Sequence, residues 1–251
     1  MRMKDRRVLI TGGASGIGLA TARLLAAEGS RLALLDRDAV RLREAVAGFS
    51  PGIAHGVAVE LTKEAAVDRA VAAAAEALGG LDGVVNSAGV SLWRPFAELG
   101  FEDWRRLHAV NLDGPFLVCR AALPLLLKAG GGTIVNLASG AGLRPLPNLS
   151  AYCTSKAALV MLTRSLTLEY AAHGVRVNAV APGPVETPMI ERTLSHAPDR
   201  AAQMISFLAR VGMNRLGQPE EIARVVLFLS CGDSSFTTGA VLEADGGRVF
   251  H

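Results

Sequence analysis

The chain has 251 residues, half of them hydrophobic and a fifth charged, with a formal net charge of +3. That length can bury a sizeable core as one large α/β domain or two small ones. Acids and bases are interleaved with no basic block, which argues against nucleic acid as a partner and for a solvated mixed surface.

The first predicted strand spans 7–11, where Arg7-Val8-Leu9-Ile10 is short, apolar and β-branched. It runs into Thr11-Gly12-Gly13-Ala14-Ser15-Gly16-Ile17-Gly18 and a helix near 16–28, with Ile17, Ala20, Thr21, Leu24 and Leu25 at helical spacing. Glycines between a strand and a helix let the backbone turn tightly against a phosphate, and the helix N-terminus offers free N–H groups. Gly12, Ser15, Gly16, Ile17 and Gly18 are therefore candidate dinucleotide ligands. Their Gly-x-x-x-Gly-x-Gly spacing differs from the common Gly-x-Gly-x-x-Gly fingerprint.

The second strand, 31–36, closes on Asp36. A carboxylate there can accept hydrogen bonds from adenosine ribose hydroxyls and repels a 2′-phosphate, so NAD is expected over NADP. Arg37 follows directly and weakens that preference. Asp36 can also serve as N-cap of the next helix, 39–48. A strand at 53–59, a helix at 64–78 and a strand at 82–86 continue the alternation.

A long helical segment, 102–128, is broken by Gly114-Pro115. Proline lacks an N–H, so the carbonyl four residues earlier, that of Asn111, is predicted to leave the helix ladder and need another partner. The strand at 132–138 ends beside Ser139, and the helix at 150–173 opens on Tyr152-Cys153-Thr154-Ser155-Lys156. A tyrosine and a lysine four apart share a helix face. An ammonium beside a phenol favours the phenolate and lowers its pKa, giving a general acid/base. Ser139 can hold the same substrate oxygen.

A strand at 175–181 precedes a stretch, 186–215, that is apolar (Pro188, Met189, Ile190, Leu194, Pro198, Met204, Phe207, Leu208, Met213) without strand signal. It reads either as a lid or as a packed helical excursion. A helix at 218–230 and a strand at 239–244 end the pattern. Alternating strands and helices imply right-handed β-α-β units in one doubly wound parallel sheet with helices on both faces, a single Rossmann-type α/β domain over 1–251. Asp36, Asn86, Ser139 and Pro182 all fall at strand C-terminal ends, where such sheets bind ligands.

With these pieces in order the chain resembles the classical short-chain dehydrogenase/reductase family from about Arg7 to Gly247. Asn86-Ser87-Ala88-Gly89 resembles that family's Asn-Asn-Ala-Gly turn, with Ser87 replacing the second asparagine. Pro182-Gly183-Pro184-Val185-Glu186-Thr187 resembles its nicotinamide-side loop. The resemblance implies a catalytic set of Asn111, Ser139, Tyr152 and Lys156, with Asn111 holding a water in a proton relay and Lys156 contacting the nicotinamide ribose. It also implies cofactor contacts from Asn86, Ala88, Gly89, Pro182, Gly183, Val185 and Thr187, and adenine contacts from Glu60, where an aspartate is usual, and Leu61.

The implied reaction is hydride transfer between nicotinamide and a secondary alcohol or ketone. Trp93, Ala141, Leu143 and Met189, with Ser139 and Tyr152, are candidate substrate contacts and favour an apolar substrate; Arg144 or Arg94 could instead receive a carboxylate. An NADP-dependent 3-oxoacyl carrier-protein reductase is the nearest alternative, although Lys128 and His173 make a thin docking patch for an acidic carrier. A dinucleotide-sensing protein without turnover is a third.

No metal site is expected. No charge-free apolar run approaches the roughly 20 residues of a membrane span, and a strand starting near residue 7 leaves no room for a signal peptide. Cys119, Cys153 and Cys231 show no Cys-x-x-Cys spacing and fit reduced, buried thiols in the cytoplasm. Helices 102–128 and 150–173 are apolar around much of their circumference, and the last strand is an open edge unless Arg248-Val249-Phe250-His251 covers it. Both features predict a homotetramer.

Overall fold

In a computed structural model, residues 1–195 and 199–248 are described. Pro198 of the insertion, and Val249-Phe250-His251 of the tail, lie outside them. The strands are β1 (Arg7–Thr11), β2 (Arg31–Asp36), β3 (Ala54–Ala58), β4 (Gly83–Asn86), β5 (Gly132–Leu137), β6 (Val175–Pro182) and β7 (Val241–Ala244). They form one sheet in the order β3-β2-β1-β4-β5-β6-β7, every pairing parallel.

The sheet is covered on both faces, which is why its strands read as nearly unbroken apolar runs. Side chains alternate between the faces with period two. Leu9, Ala33 and Leu35 pack under α3 (Glu64–Leu78) and α5 (Gly114–Lys128), together with Leu166 of α6 (Ser150–Tyr170). Val8, Ile10, Leu32 and Leu34 pack under α1 (Gly16–Ala27), α2 (Ala39–Ala47) and α9 (Pro219–Ser230). Strand order reverses between β1 and β4. The connections leave in opposite directions there and open a crevice at the C-terminal edge of the sheet.

The segment predicted as one broken helix is α4 (Phe101–His108), a π-helical turn (Ala109–Asp113) and α5. By length and composition Phe101–Lys128 could cross a membrane, yet Leu117, Val118, Ala122 and Leu126 are buried in the core. The π turn explains how Pro115 is tolerated. The Gly114 N–H reaches back five residues to the Ala109 carbonyl. Pro115 can donate to neither Asn111, four back, nor Val110, five back.

The insertion folds as α7 (Pro188–Ser195) and α8 (Arg200–Leu208). Its base is tied by two isolated bridges, Val185 with Gly217 in parallel and Val211 with Arg248 antiparallel. The insertion is therefore a helical excursion that borders the crevice: Met189, Ile190, Phe207 and Val211 line the cleft. Trp93 meets Phe207 with ring centroids 6.0 Å apart.

Candidate active site

One end of the crevice is built for an anion. Gly12 has φ +66°, and a Cβ there would lie 2.9 Å from the backbone of Ala88. That approach is held by the Thr11 hydroxyl, which accepts from the Ser87 and Ala88 N–H groups at 3.1 and 3.2 Å. A Cβ on Gly18 would collide with the Gly12 carbonyl, so the loop can fold onto α1 only with glycine at 18. Ser15 is the N-cap of α1, but its side chain makes no cap bond and no acidic residue sits in the first turn. The first N–H groups of α1 are thus left facing the cleft, an arrangement that suits a pyrophosphate.

At the end of β2 the Asp36 carboxylate accepts from the Ala14 N–H at 3.2 Å and the Asp38 N–H at 3.1 Å. It ties the glycine loop to the β2 turn and faces the cleft with Arg37, Asp38, Arg41, Val59, Glu60 and Leu61. The N-cap of α2 is Asp38, whose carboxylate accepts from Val40 and Arg41, so the capping role considered for Asp36 falls two residues later. These residues fit a dinucleotide: a glycine loop that Cβ atoms at Gly12 and Gly18 would block, an uncapped helix N-terminus and a carboxylate on the same cleft at the end of β2.

The other end gathers the titratable groups. Ser139 sits just beyond β5; its side chain accepts from the Ala141 N–H at 3.1 Å and is close enough to the Tyr152 hydroxyl to favour its ionised form. Lys156, one turn on from Tyr152, is 4% exposed. Its Nζ donates to the Leu137 carbonyl at 2.8 Å and lies 5.8 Å from the Tyr152 ring centroid. Asn111 is fully buried. Its amide brackets Val90, accepting from the N–H and donating to the carbonyl at 2.9 Å each, and donates to Ser155 Oγ at 3.1 Å. Ser155 in turn donates to the Tyr152 carbonyl at 2.8 Å. The turn of α6 that carries the tyrosine is therefore pinned both to β5 and to the π turn.

The expected acidification of Tyr152 by Lys156 is not what the chain alone provides. Burial raises the Tyr152 pKa, with the Ser139 hydrogen bond opposing it. Burial also pushes Lys156 down to about 8. Burial thus disfavours the charge on both groups, and Ser139, not Lys156, is what opposes the rise at Tyr152. By itself the chain holds Tyr152 protonated, as an acid.

Ser139, Ala141, Tyr152, Lys156, Ala88, Gly89, Pro182, Gly183, Val185, Thr187, Trp93 and Met189 line the cleft as expected, as do Gly12, Ser15, Gly16 and Ile17. Six sequence candidates do not. Gly18 and Asn111 lie behind the wall and act through packing and hydrogen bonds. Asn86 is turned inward, where its amide donates to Asn136 Oδ1 at 2.8 Å, so it braces β4 against β5 and does not face a cofactor. Leu143 packs on Ala138, Val160 and Ala179. Arg144 pairs with Glu243, and the alternative, Arg94, pairs with Asp103 at 3.4 Å.

The sequence reading missed Ser87, Val90, Ser91, Leu146, Leu149, Arg210 and Arg248. Leu146 and Leu149 sit between Ser139 and Tyr152 and were findable from that position; Arg248 was not. Among the described residues no cluster of three or more His, Cys, Asp or Glu could hold a metal ion. The three cysteines are buried free thiols.

The family model described as enoyl-(acyl carrier protein) reductase matches residues 12–248. The 2-(S)-hydroxypropyl-CoM dehydrogenase 3 of Xanthobacter autotrophicus is 39% identical over 250 residues, 99% of this chain and 98% of that protein. The 3-oxoacyl-[acyl-carrier-protein] reductase FabG of Thermotoga maritima is 37% identical over 251 residues, 99% of this chain and 100% of that protein. The crystal structure of gox2181 superposes with a TM-score of 0.92 at 33% identity, covering 98% of this chain and 96% of that one.

Proposed function

The chain belongs to the classical short-chain dehydrogenase/reductase family and is an oxidoreductase of CH–OH groups that uses a nicotinamide dinucleotide; from that premise we propose that it is a cytoplasmic, NAD-dependent dehydrogenase of a secondary alcohol, or reductase of its ketone, with an apolar body. The observation that carries this reading is the convergence of Ser139, Tyr152 and Lys156 at one end of a cleft whose other end is the glycine cradle. Asp36 at the ribose end supports NAD. Arg37 and Arg41 line the same end and are what an NADP-dependent carrier-protein reductase would need.

When bound, the dinucleotide supplies the hydride and, in its oxidised form, a positive charge. Ser139 holds the substrate oxygen, and Tyr152 gives it a proton in reduction or takes one in oxidation. Lys156, fixed on the Leu137 carbonyl next to Gly89, would hold the nicotinamide-side ribose. Asn111 keeps the tyrosine turn in place through Ser155. Trp93, Leu146, Leu149, Met189 and Phe207 exclude water and bury the apolar part of the substrate, at about 25 cal/mol per Å².

The test is a panel of secondary alcohols and ketones with NAD(H) and with NADP(H), read by nicotinamide absorbance. Turnover of apolar members with NAD(H) is expected. Absence of turnover with either dinucleotide would leave a non-catalytic dinucleotide-binding protein, and turnover only of carrier- or CoA-thioesters with NADPH would leave the reductase.

A further inference from the structure

The cleft has two electrically different ends. Its carboxylates, Asp36, Asp38 and Glu60, all sit at the ends of β2 and β3. The end bordered by α8 has no carboxylate among the described lining residues, yet it carries Arg210 and Arg248. The backbone brings these two together. Val211 bridges Arg248, the Gly212 N–H donates to the Gly247 carbonyl at 3.0 Å, and the Met213 N–H donates to Gly246 at 2.9 Å.

Arg248 lies directly over Gly140, the residue after Ser139. A Cβ at Gly140 would come within 2.9 Å of its Nη1, so the guanidinium rests closely on that residue. The side chain is half-buried, and among the described residues its guanidinium donates only to the Arg144 carbonyl, from Nη2 at 3.4 Å. Asp245 is near, but its Oδ1 accepts from the backbone N–H groups of Gly247 and Arg248 at 3.0 and 3.2 Å. Among the described residues no carboxylate forms an ion pair with Arg248 or with Arg210. Burial first, then the charge of Arg210, lower the pKa of Arg248.

Two neighbouring cations that form no ion pair among the described residues, one of them half desolvated and offset only by the more distant charge of Asp245, are unfavourable in the chain alone. An oxyanion between them removes that cost, and a guanidinium fork matches its geometry. The cradle for a pyrophosphate is at the opposite end, on α1, so the anion wanted here is the substrate's own.

We propose that Arg248 and Arg210 form an anion-binding subsite that takes a terminal carboxylate-type oxyanion on an otherwise apolar keto or hydroxy substrate. This rests on the dehydrogenase reading of the cleft. It assigns the substrate an amphiphilic shape: reacting carbon at Ser139 and Tyr152, apolar body against Trp93, Phe207 and Leu149, anionic end on the arginines.

The experiment compares 7-oxooctanoate with 2-octanone as substrates, in the unmodified protein and in Arg248→Gln, Arg248→Lys and Arg210→Gln. The expected result is a kcat/KM at least about tenfold higher for 7-oxooctanoate, equivalent to about 1.4 kcal/mol. That ratio should collapse in Arg248→Gln, fall in Arg210→Gln and persist in part in Arg248→Lys. Equal efficiencies in the unmodified protein, or a preference that survives both glutamine variants, would overturn the proposal. A raised KM for the dinucleotide in Arg248→Gln, with the substrate ratio unchanged, would also overturn it, by assigning the arginine to the cofactor. Calorimetry with octanoate reads the subsite without turnover. If neither ketone is reduced but octanoate binds and Arg248→Gln abolishes that binding, the subsite stands and the dehydrogenase reading fails.

Discussion

A lysine in a protein interior is expensive to keep charged, and Lys156 is the clearest case here. Its folded-state pKa, about 8, lies below the ordinary 10.5. Below pH 8 both folded and unfolded chains carry the charge, and the folded state bears the full burial cost. Between about 8 and 10.5 only the folded chain has released the proton, so stability rises with pH, and above that range the cost is gone. Relative to Lys156→Met, the unmodified chain should gain up to about 3 kcal/mol between pH 7 and pH 10 in urea unfolding. Parallel pH profiles for the two proteins would contradict this. Asp36 carries a second expectation at this scale. Efficiency should be at least about tenfold better with NAD than NADP, and Asp36→Ala should narrow the gap. Because Asp36 also holds the Ala14 N–H, the variant should lose some NAD efficiency as well. A preference for NADP in the unmodified protein would reverse the assignment.

At the scale of elements, the π turn at Ala109–Asp113 and the first turn of α6 work as one unit through Asn111. Removing the Asn111 amide leaves the Val90 N–H and carbonyl without their partner inside the protein. Asn111→Leu should therefore destabilise the fold by about 1–3 kcal/mol in denaturant unfolding at unchanged m-value, since the two orphaned Val90 groups are only part-buried beside the cleft and each would cost about 1–3 kcal/mol if fully buried. A change within about 0.5 kcal/mol would mean that the bracket is dispensable. The irregularity at this position was legible in the sequence, because Pro115 removes a donor at a known offset. So were all seven strands to within two residues: a parallel sheet buried on both faces leaves apolar runs that glycine-rich turns punctuate. Side-chain direction was less legible. The turn at Asn86-Ser87-Ala88-Gly89 was placed correctly, but that Asn86 looks inward to Asn136 depends on the pleat of a neighbouring strand. Arg248 was beyond sequence reasoning, because its place in the cleft comes from a bridge to Val211 across the base of the insertion. Arg144 looked like the better cleft arginine until Glu243, on β7, claimed it.

At the scale of the whole molecule, α5 and α6 carry exposed apolar side chains, and among the described residues no strand pairs with the outer edge of β7. Phe116, Met161 and Leu168 are exposed on those helices, and Phe236 is fully exposed near β7. Surfaces of this kind seldom stay in water, and two of them on one subunit allow two different two-fold contacts. We propose a homotetramer. Light scattering at micromolar concentration should give four times the 26.2 kDa of one chain. A mass of one chain would refute assembly, and twice that mass would leave one interface. The proposed function turns on the proton that Tyr152 would exchange with the substrate oxygen. Tyr152→Phe keeps the ring and removes that proton. The measurement that bears on this most directly is nicotinamide-coupled turnover of the best ketone in the panel, beside dinucleotide binding by calorimetry, for the unmodified protein and Tyr152→Phe. Turnover should fall by about 10²–10⁴ while binding of the dinucleotide is retained; near-normal turnover in Tyr152→Phe would contradict the assignment.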